Sequence, residues 1–469
     1  MTRLHGSVLF VLTFALGSCA SGDGLPRKAK TGSQQEQRRR GEYEAGEPDV
    51  EELKRGTGIS QVGRVVPGGP ALASTLTPGV EQDRLWSDRD DWEPVVAADR
   101  SSDFVYQMTT RLLDANSSVV IFRASSDGGE TFGPDQRLSR TARGQYDPQL
   151  AVAGEGTVFA CWLEVPGWET FVARSFDHGA TWTTPVVVET NLSWTDHPWI
   201  AVSDDGRDVY VAFNRSDSYV VASHDGGAHF GLPVRTHQTD RVWYHTGGAV
   251  ASDGRVYFAA AEYPSFGNGP IRIYVLRSID RGASFQGILM DRSQQPPFCG
   301  EYAGCYWGFI GPCTGLAVDS AGAVMVAYNA GRVYVQPQQI YVRTSRDGID
   351  WTPAEQLSLP ARSANNCFPV VVAGPTPGDF SVVWQGTREP GSPWNTILRR
   401  TLDGGQTWGP EQRLSTRGEG APYQSTKGYD FVYGDYMGAS SDGLGRVHAI
   451  WGASVSYDGP GGTWYTRTK

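Results

Sequence analysis

Lysine is scarce in this 469-residue chain, which also has only five methionines, six cysteines and eight histidines. Against that stand 58 glycines, 28 prolines and 15 tryptophans, a usage that argues against a coiled coil, a helical bundle or a mainly disordered chain. Past the N-terminus no apolar run approaches the roughly 18–20 residues a helix needs to cross a bilayer. Positive charge is lacking too. The formal net charge is −10 and no basic stripe occurs, which speaks against nucleic acid as a partner. No Cys/His spacing has the form of a zinc site, so no metal and no other cofactor is expected. The composition fits many short strands joined by turns.

The N-terminus reads as an address. Arg3 supplies a positive start, Val8 to Leu16 form a short apolar run, and Leu16-Gly17-Ser18-Cys19 follows. That ending resembles a bacterial lipobox. The resemblance implies a signal peptide over residues 1–19 with acylation at Cys19, and Ala20 in place of Asp implies an outer-membrane lipoprotein of the cell envelope. A secreted protein, cut a few residues later, is the alternative. Residues 20–59 are polar and charge-mixed, with few groups able to offset ordering entropy, and read as a flexible tether. The body is expected over 60–469, as a monomer that meets the membrane only through its lipid.

Within the body, the pattern S/T-x-D-x-G-x-x-[FW] occurs six times. It starts at Ser125, Ser175, Ser223, Ser278, Ser345 and Thr401, and the fifth copy is one residue short. Ahead of each copy lies an apolar strand, a small turn and an alternating strand ending in an aromatic, as in Val158 to Trp162 and Val209 to Phe213. A seventh such pair begins near Tyr436 without room for the motif. Residues 91–469 thus divide into seven units of about 54 residues, which suits four strands plus a loop. The fold expected is all-β, a seven-bladed β-propeller, with six blades as the alternative. A strand around Ile59 to Val66 is expected to close the last blade.

The repeated motif resembles the Asp-box, or bacterial neuraminidase repeat, of the sialidase superfamily. Its chemistry is structural: Asp and Ser/Thr bond nearby backbone, Gly takes φ > 0 and the aromatic packs into the sheet. The resemblance implies that ligands, here a glycan, bind on the face opposite the boxes. A sialidase-like glycoside hydrolase would need an arginine clamp, a tyrosine nucleophile activated by glutamate, and an aspartic acid. The matching residues are Arg215, Arg332 and Arg388 as clamp, Glu262 as activator, Tyr436 or Tyr263 as nucleophile, and Asp147 or Asp196 as acid. Where sialidases carry the first clamp arginine, this chain reads Asp91-Trp92-Glu93-Pro94-Val95, a departure that weighs against that activity. His197 and His245, with Tyr244 and Asp196, offer instead the base and acid of a polysaccharide lyase. Trp168 is a candidate ring for stacking on a sugar. Beside these enzyme readings stand a non-catalytic glycan- or protein-binding surface module and a scaffold or assembly factor within the envelope. The bland alternative for Asp147 and Asp196 is a turn cap, and for the arginines a solvated ion pair.

Cys313 and Cys367 occupy the same register position in consecutive units, so a bridge between them is expected. Cys299 and Cys305 could close a small loop, with pairing of either to Cys313 as the competing connectivity.

Overall fold

The structure is a computed structural model. It describes residues 78–469 except 88, 90, 115–116, 140–143, 166, 189–194, 215–216, 238–241, 264–269, 297–310, 360–364, 388–393, 417–435 and 455–460. Among the described residues there is no helix. Seven small antiparallel sheets form a ring, a seven-bladed β-propeller.

Each blade runs outward from an inner strand. Blade 1 comprises Asp91–Ala98, Val105–Asp114 and Ser117–Ser125, with the Phe122–Gln136 bridge standing at its outer edge. The inner strands of blades 2 to 6 are Gly144–Val152, Asp196–Val202, Val242–Val250, Thr314–Val318 and Asn366–Ala373. Blade 7 has Gly438–Ser441, Val447–Ser454 and Gly461–Arg467, and its outermost strand is Arg84–Ser87 from the start of the chain. This corrects the expectation for Ile59 to Val66, which lie outside the described residues. Arg84–Ser87 sits only a few residues ahead of the first inner strand, so a short connection suffices to close the ring.

Aromatics in the second strands are what the blades pack around. Trp162, Phe213, Trp384 and Trp451 are all fully buried. Burying one such side chain is worth about 1.5–3 kcal/mol. The clusters they join are shared between neighbouring blades: Tyr106 and Phe122 of blade 1 pack with Val158 and Trp162 of blade 2. Glycines bring inner strands together near the axis. A Cβ on Gly247 would lie 2.5 Å from the Leu316 amide nitrogen, and one on Gly438 would lie 2.7 Å from that of Val96.

The recurring turns share one geometry, the fifth closing one residue early with the Gly348 amide donating to Ser345 Oγ at 2.8 Å. Ser125 Oγ donates to Asp127 Oδ1 at 2.7 Å, the Gly129 amide donates back to Ser125 Oγ at 2.9 Å, and the Thr131 amide donates to Asp127 at 2.8 Å. Thr401, Asp403, Gly405 and Thr407 repeat it. The Thr181 hydroxyl and amide hold the Asp177 carboxyl at about 2, so it stays ionised. All six turns lie on the face that carries the hairpins between first and second strands, and backbone bonds tie several of them to it: the Gly128 amide donates to Asp103 O, that of Gly226 to Arg207 O and that of Gly404 to Gly378 O. We call this the turn face. The opposite face, where each inner strand starts, is the mouth.

Candidate functional site

At the mouth the inner strands do something unusual. Their pairing register skips between Trp92 and Val95, Tyr146 and Gln149, His245 and Gly247, and Cys367 and Val370. Glu93, Asp147, His197 and Phe368 sit at this level with φ of 51°, 52°, 50° and 51°, and each is followed by proline. Left-handed backbone at a side-chain-bearing residue costs about 1–3 kcal/mol and persists only where the surroundings over-determine it.

Those surroundings are polar and specific. The Glu93 carboxylate, buried at 3% exposure, accepts from the Thr110 hydroxyl at 2.9 Å and from the Asp147 amide at 3.0 Å. It thereby ties blade 1 to the bulge of blade 2. On blade 3, His197 Nδ1 donates to the His245 carbonyl at 3.1 Å. A carbonyl can only accept, so Nδ1 carries the proton of this bond. His245 itself bonds Ser218 Oγ through Nε2 at 2.8 Å, and burial followed by the neighbouring His197 pushes its pKa down to about 3. It is neutral at ordinary pH.

Around these groups the mouth is aromatic. Tyr146 and Trp168 stack at 6.3 Å with their planes 9° apart, and Trp92 meets Tyr146 edge-on at 6.2 Å. Trp168 is half-buried, a flat surface at the outer part of the mouth. Burial, and then the charges of Glu93 and Asp147, push the Tyr146 hydroxyl up, so it remains protonated. Deeper, His197 lies edge-on to Tyr244 at 5.4 Å and to Tyr436 at 5.6 Å, and Tyr436 also meets Trp199 at 6.0 Å. Below this layer an axial cavity of about 330 Å³ runs toward the turn face, past Gln149 and Thr246 to Arg100 and Asp204.

The structure gathers Asp147, Asp196, His197, His245, Tyr436 and Trp168 at the mouth, with Glu262 at the mouth end of a second strand. Asp147, Asp196 and His197 are buried. It gives others different partners from those the hydrolase scheme requires. The Tyr436 hydroxyl, nearly fully buried, donates to the Pro148 carbonyl at 3.1 Å. Glu262 is fully buried and bonds Arg272 at 3.2 Å. Arg332 makes a forked pair with Asp291 at 2.7 and 2.9 Å and lies over the Tyr341 ring, at the outer part of blades 4 and 5. Arg215 and Arg388 lie outside the described residues, as do Cys19, Cys299 and Cys305.

The expected Cys313–Cys367 bridge is corrected: no disulfide joins the two cysteines. Their registers do bring them into one core cluster, where each packs as a small apolar group. Sequence reasoning passed over Glu93 and Arg272. The signal for Glu93 was present, since an acid or histidine directly before proline recurs at the start of three inner strands. Among the described residues no group of three or more His, Cys, Asp or Glu side chains is arranged to hold a metal ion.

Among solved structures the fold is similar to that of a polysaccharide lyase, an ulvan lyase bound to -[GlcA(1-4)Rha3S]-, at 13% identity and a TM-score of 0.50, over 81% of this chain and 94% of that one. It is also similar to the Hadza microbial sialidase Hz136, at 14% identity and a TM-score of 0.45, over 75% of this chain and 73% of that one. The intramolecular trans-sialidase from Ruminococcus gnavus, in complex with oseltamivir carboxylate, matches at 12% identity and a TM-score of 0.41, over 85% and 98%. Structural neighbours of the chain thus include sialidases and related propellers. At these identities the likeness is one of fold. No protein-family model and no curated protein matches the chain.

Proposed function

We propose that this is a glycan-acting propeller whose mouth binds an acidic polysaccharide and cleaves it by β-elimination, with His197 as the base. The observation that carries the reading is the bond from His197 Nδ1 to the His245 carbonyl, which sets the imidazole edge-on to Tyr244 and Tyr436. Nε2 takes the proton α to a uronate carboxylate. The C4–O bond breaks, the departing oxygen receives a proton from the Tyr244 hydroxyl, and a C4=C5 double bond remains. The Tyr146–Trp168 shelf stacks on a neighbouring sugar ring. A hydrolase scheme has less support, because the Tyr436 hydroxyl is bonded to backbone and Glu262 to Arg272.

In this reading the six recurring turns are Asp-boxes, residues 1–19 are a signal, Cys19 carries lipid, and the chain works as an outer-membrane lipoprotein without a cofactor. The test is incubation of the full chain with uronate-containing polysaccharides, following the ultraviolet absorbance of the unsaturated product. Absorbance that grows with the parent and is lost in His197→Ala supports the proposal. Release of saturated sugar overturns it. Binding without turnover selects a second reading, a glycan-binding module, which the burial of Asp147, Asp196 and His197 favours.

A further inference from the structure

The turn face carries a feature that neither catalysis at the mouth nor the fold requires. In the recurring turns the residue between the Ser/Thr and the Asp is pushed outward, because the turn's hydrogen bonds are made by the residues on either side of it. Nothing in the turn demands an apolar side chain there: Ser126, His224 and Arg346 occupy the place in three copies. Yet Phe176, Ile279 and Leu402 fill it in the others, at 68%, 69% and 69% exposure. Ile349, in the fifth turn, and Leu444, in the first hairpin of blade 7, are likewise exposed. Four consecutive blades, 4 to 7, therefore each hold an aliphatic tip out from the same face.

The chain before the body reaches that same face. Val80 bridges Thr468, and the Lys469 amide donates to Gly79 O. Arg467, at the end of a strand descending from the mouth, bonds the Gly128 carbonyl of the first turn. The 77 residues that precede the described body thus join it on the turn face, where the Thr468 amide donates to Val447 O, three residues past Leu444. From this we propose that the turn face lies against a lipid surface, with Ile279, Ile349, Leu402 and Leu444 dipping into the headgroup layer and the mouth directed away from the membrane. Between the tips stand turn aspartates such as Asp403, which Thr407 holds at about 2 and ionised. Isolated apolar points among fixed charges suit a headgroup boundary, where tips sink and charges stay in water. Because the turn aspartates stand beside Arg281 and Arg346, the face carries both signs of charge and fits a zwitterionic surface.

This orientation rests on the reading of Cys19 as a lipid anchor, and the test separates the two. The acylated full chain is mixed with phosphatidylethanolamine/phosphatidylcholine vesicles, and flotation reads the anchor. Leu402→Cys on the turn face and Leu113→Cys on the mouth side are then labelled with a membrane-impermeant maleimide, with labelling of the parent chain subtracted. The expected result is several-fold slower labelling of Leu402→Cys on vesicles, no change for Leu113→Cys, and recovery of the rate when Ile279, Ile349 and Leu444 are also changed to Ser. Flotation with equal labelling of both positions overturns the orientation alone. Failure to float removes the anchor and the orientation together. Protection of Leu402→Cys without vesicles, rising with protein concentration, overturns the proposal in favour of self-association.

Discussion

Replacing Glu93 tests the idea that one buried carboxylate holds the mouth in its strained shape. In Glu93→Ala the Asp147 amide and the Thr110 hydroxyl both lose their acceptor inside a site closed to solvent. Hydrogen bonds to a charged acceptor contribute about 1.5–3 kcal/mol each, and buried donors left unsatisfied cost amounts of that order, so a loss of about 3–5 kcal/mol follows. Spread over a body of about 390 residues, each contributing roughly 2 cal/mol/K to the unfolding entropy, this lowers Tm by about 4–6 °C. Glu93→Gln keeps one oxygen able to accept and recovers at least half of the loss. Calorimetry of the three chains gives the shifts, and glycan affinity measured well below the transition reports whether Asp147 has moved. If Glu93→Ala melted within about 1 °C of the parent, the carboxylate would not be what holds Asp147, and the argument from strain at the mouth would fail.

Other expectations follow from the same geometry. His197→Ala should abolish formation of unsaturated product while sparing the fold; an unchanged rate in His197→Ala would eliminate it as the base. His245 has its pKa depressed to about 3 in the folded chain, below the ordinary histidine value of about 6.5. Between those two values the unfolded chain binds the extra proton, so stability falls as pH drops through that window; thermal melts of His245→Gln should show a shallower acid decline, and an identical one would refute the assignment. Gly247→Ala should prevent a soluble ring, since its Cβ meets backbone, whereas Gly133→Ala, whose nearest neighbour would be 3.5 Å away, should fold normally as judged by size-exclusion chromatography and melting.

How much of this was legible in the sequence depended on whether the signal was local. Six copies of a turn motif with fixed hydrogen-bonding chemistry, each preceded by a strand holding a buried aromatic, specify blades because every element is set by residues within about ten positions of one another. The count of seven and the opposition of turns and mouth followed from that. The closing strand was misplaced because any short alternating segment fits an open sheet edge. Which one takes it is decided by chain length, and Arg84–Ser87 lies nearer than Ile59 to Val66. The disulfide was misjudged for a related reason. Register brought Cys313 and Cys367 into one cluster, yet register cannot distinguish a bridge from two packed thiols.

The site was the least legible part, because its chemistry depends on pairings across blades. Arg332 is a cation at a loop in sequence, but Asp291, more than forty positions earlier and on the preceding blade, fixes it at the rim. Tyr436 loses its reading as a nucleophile to a carbonyl on blade 2. His197 has its Nδ1 proton set by a carbonyl on blade 4. In each case the deciding partner is a group no motif contains, brought near only when the ring closes. Closure therefore creates the mouth as well as the core. The residues to test first are those whose partners lie across a blade boundary, because only there does the ring give a side chain a property that its own strand cannot.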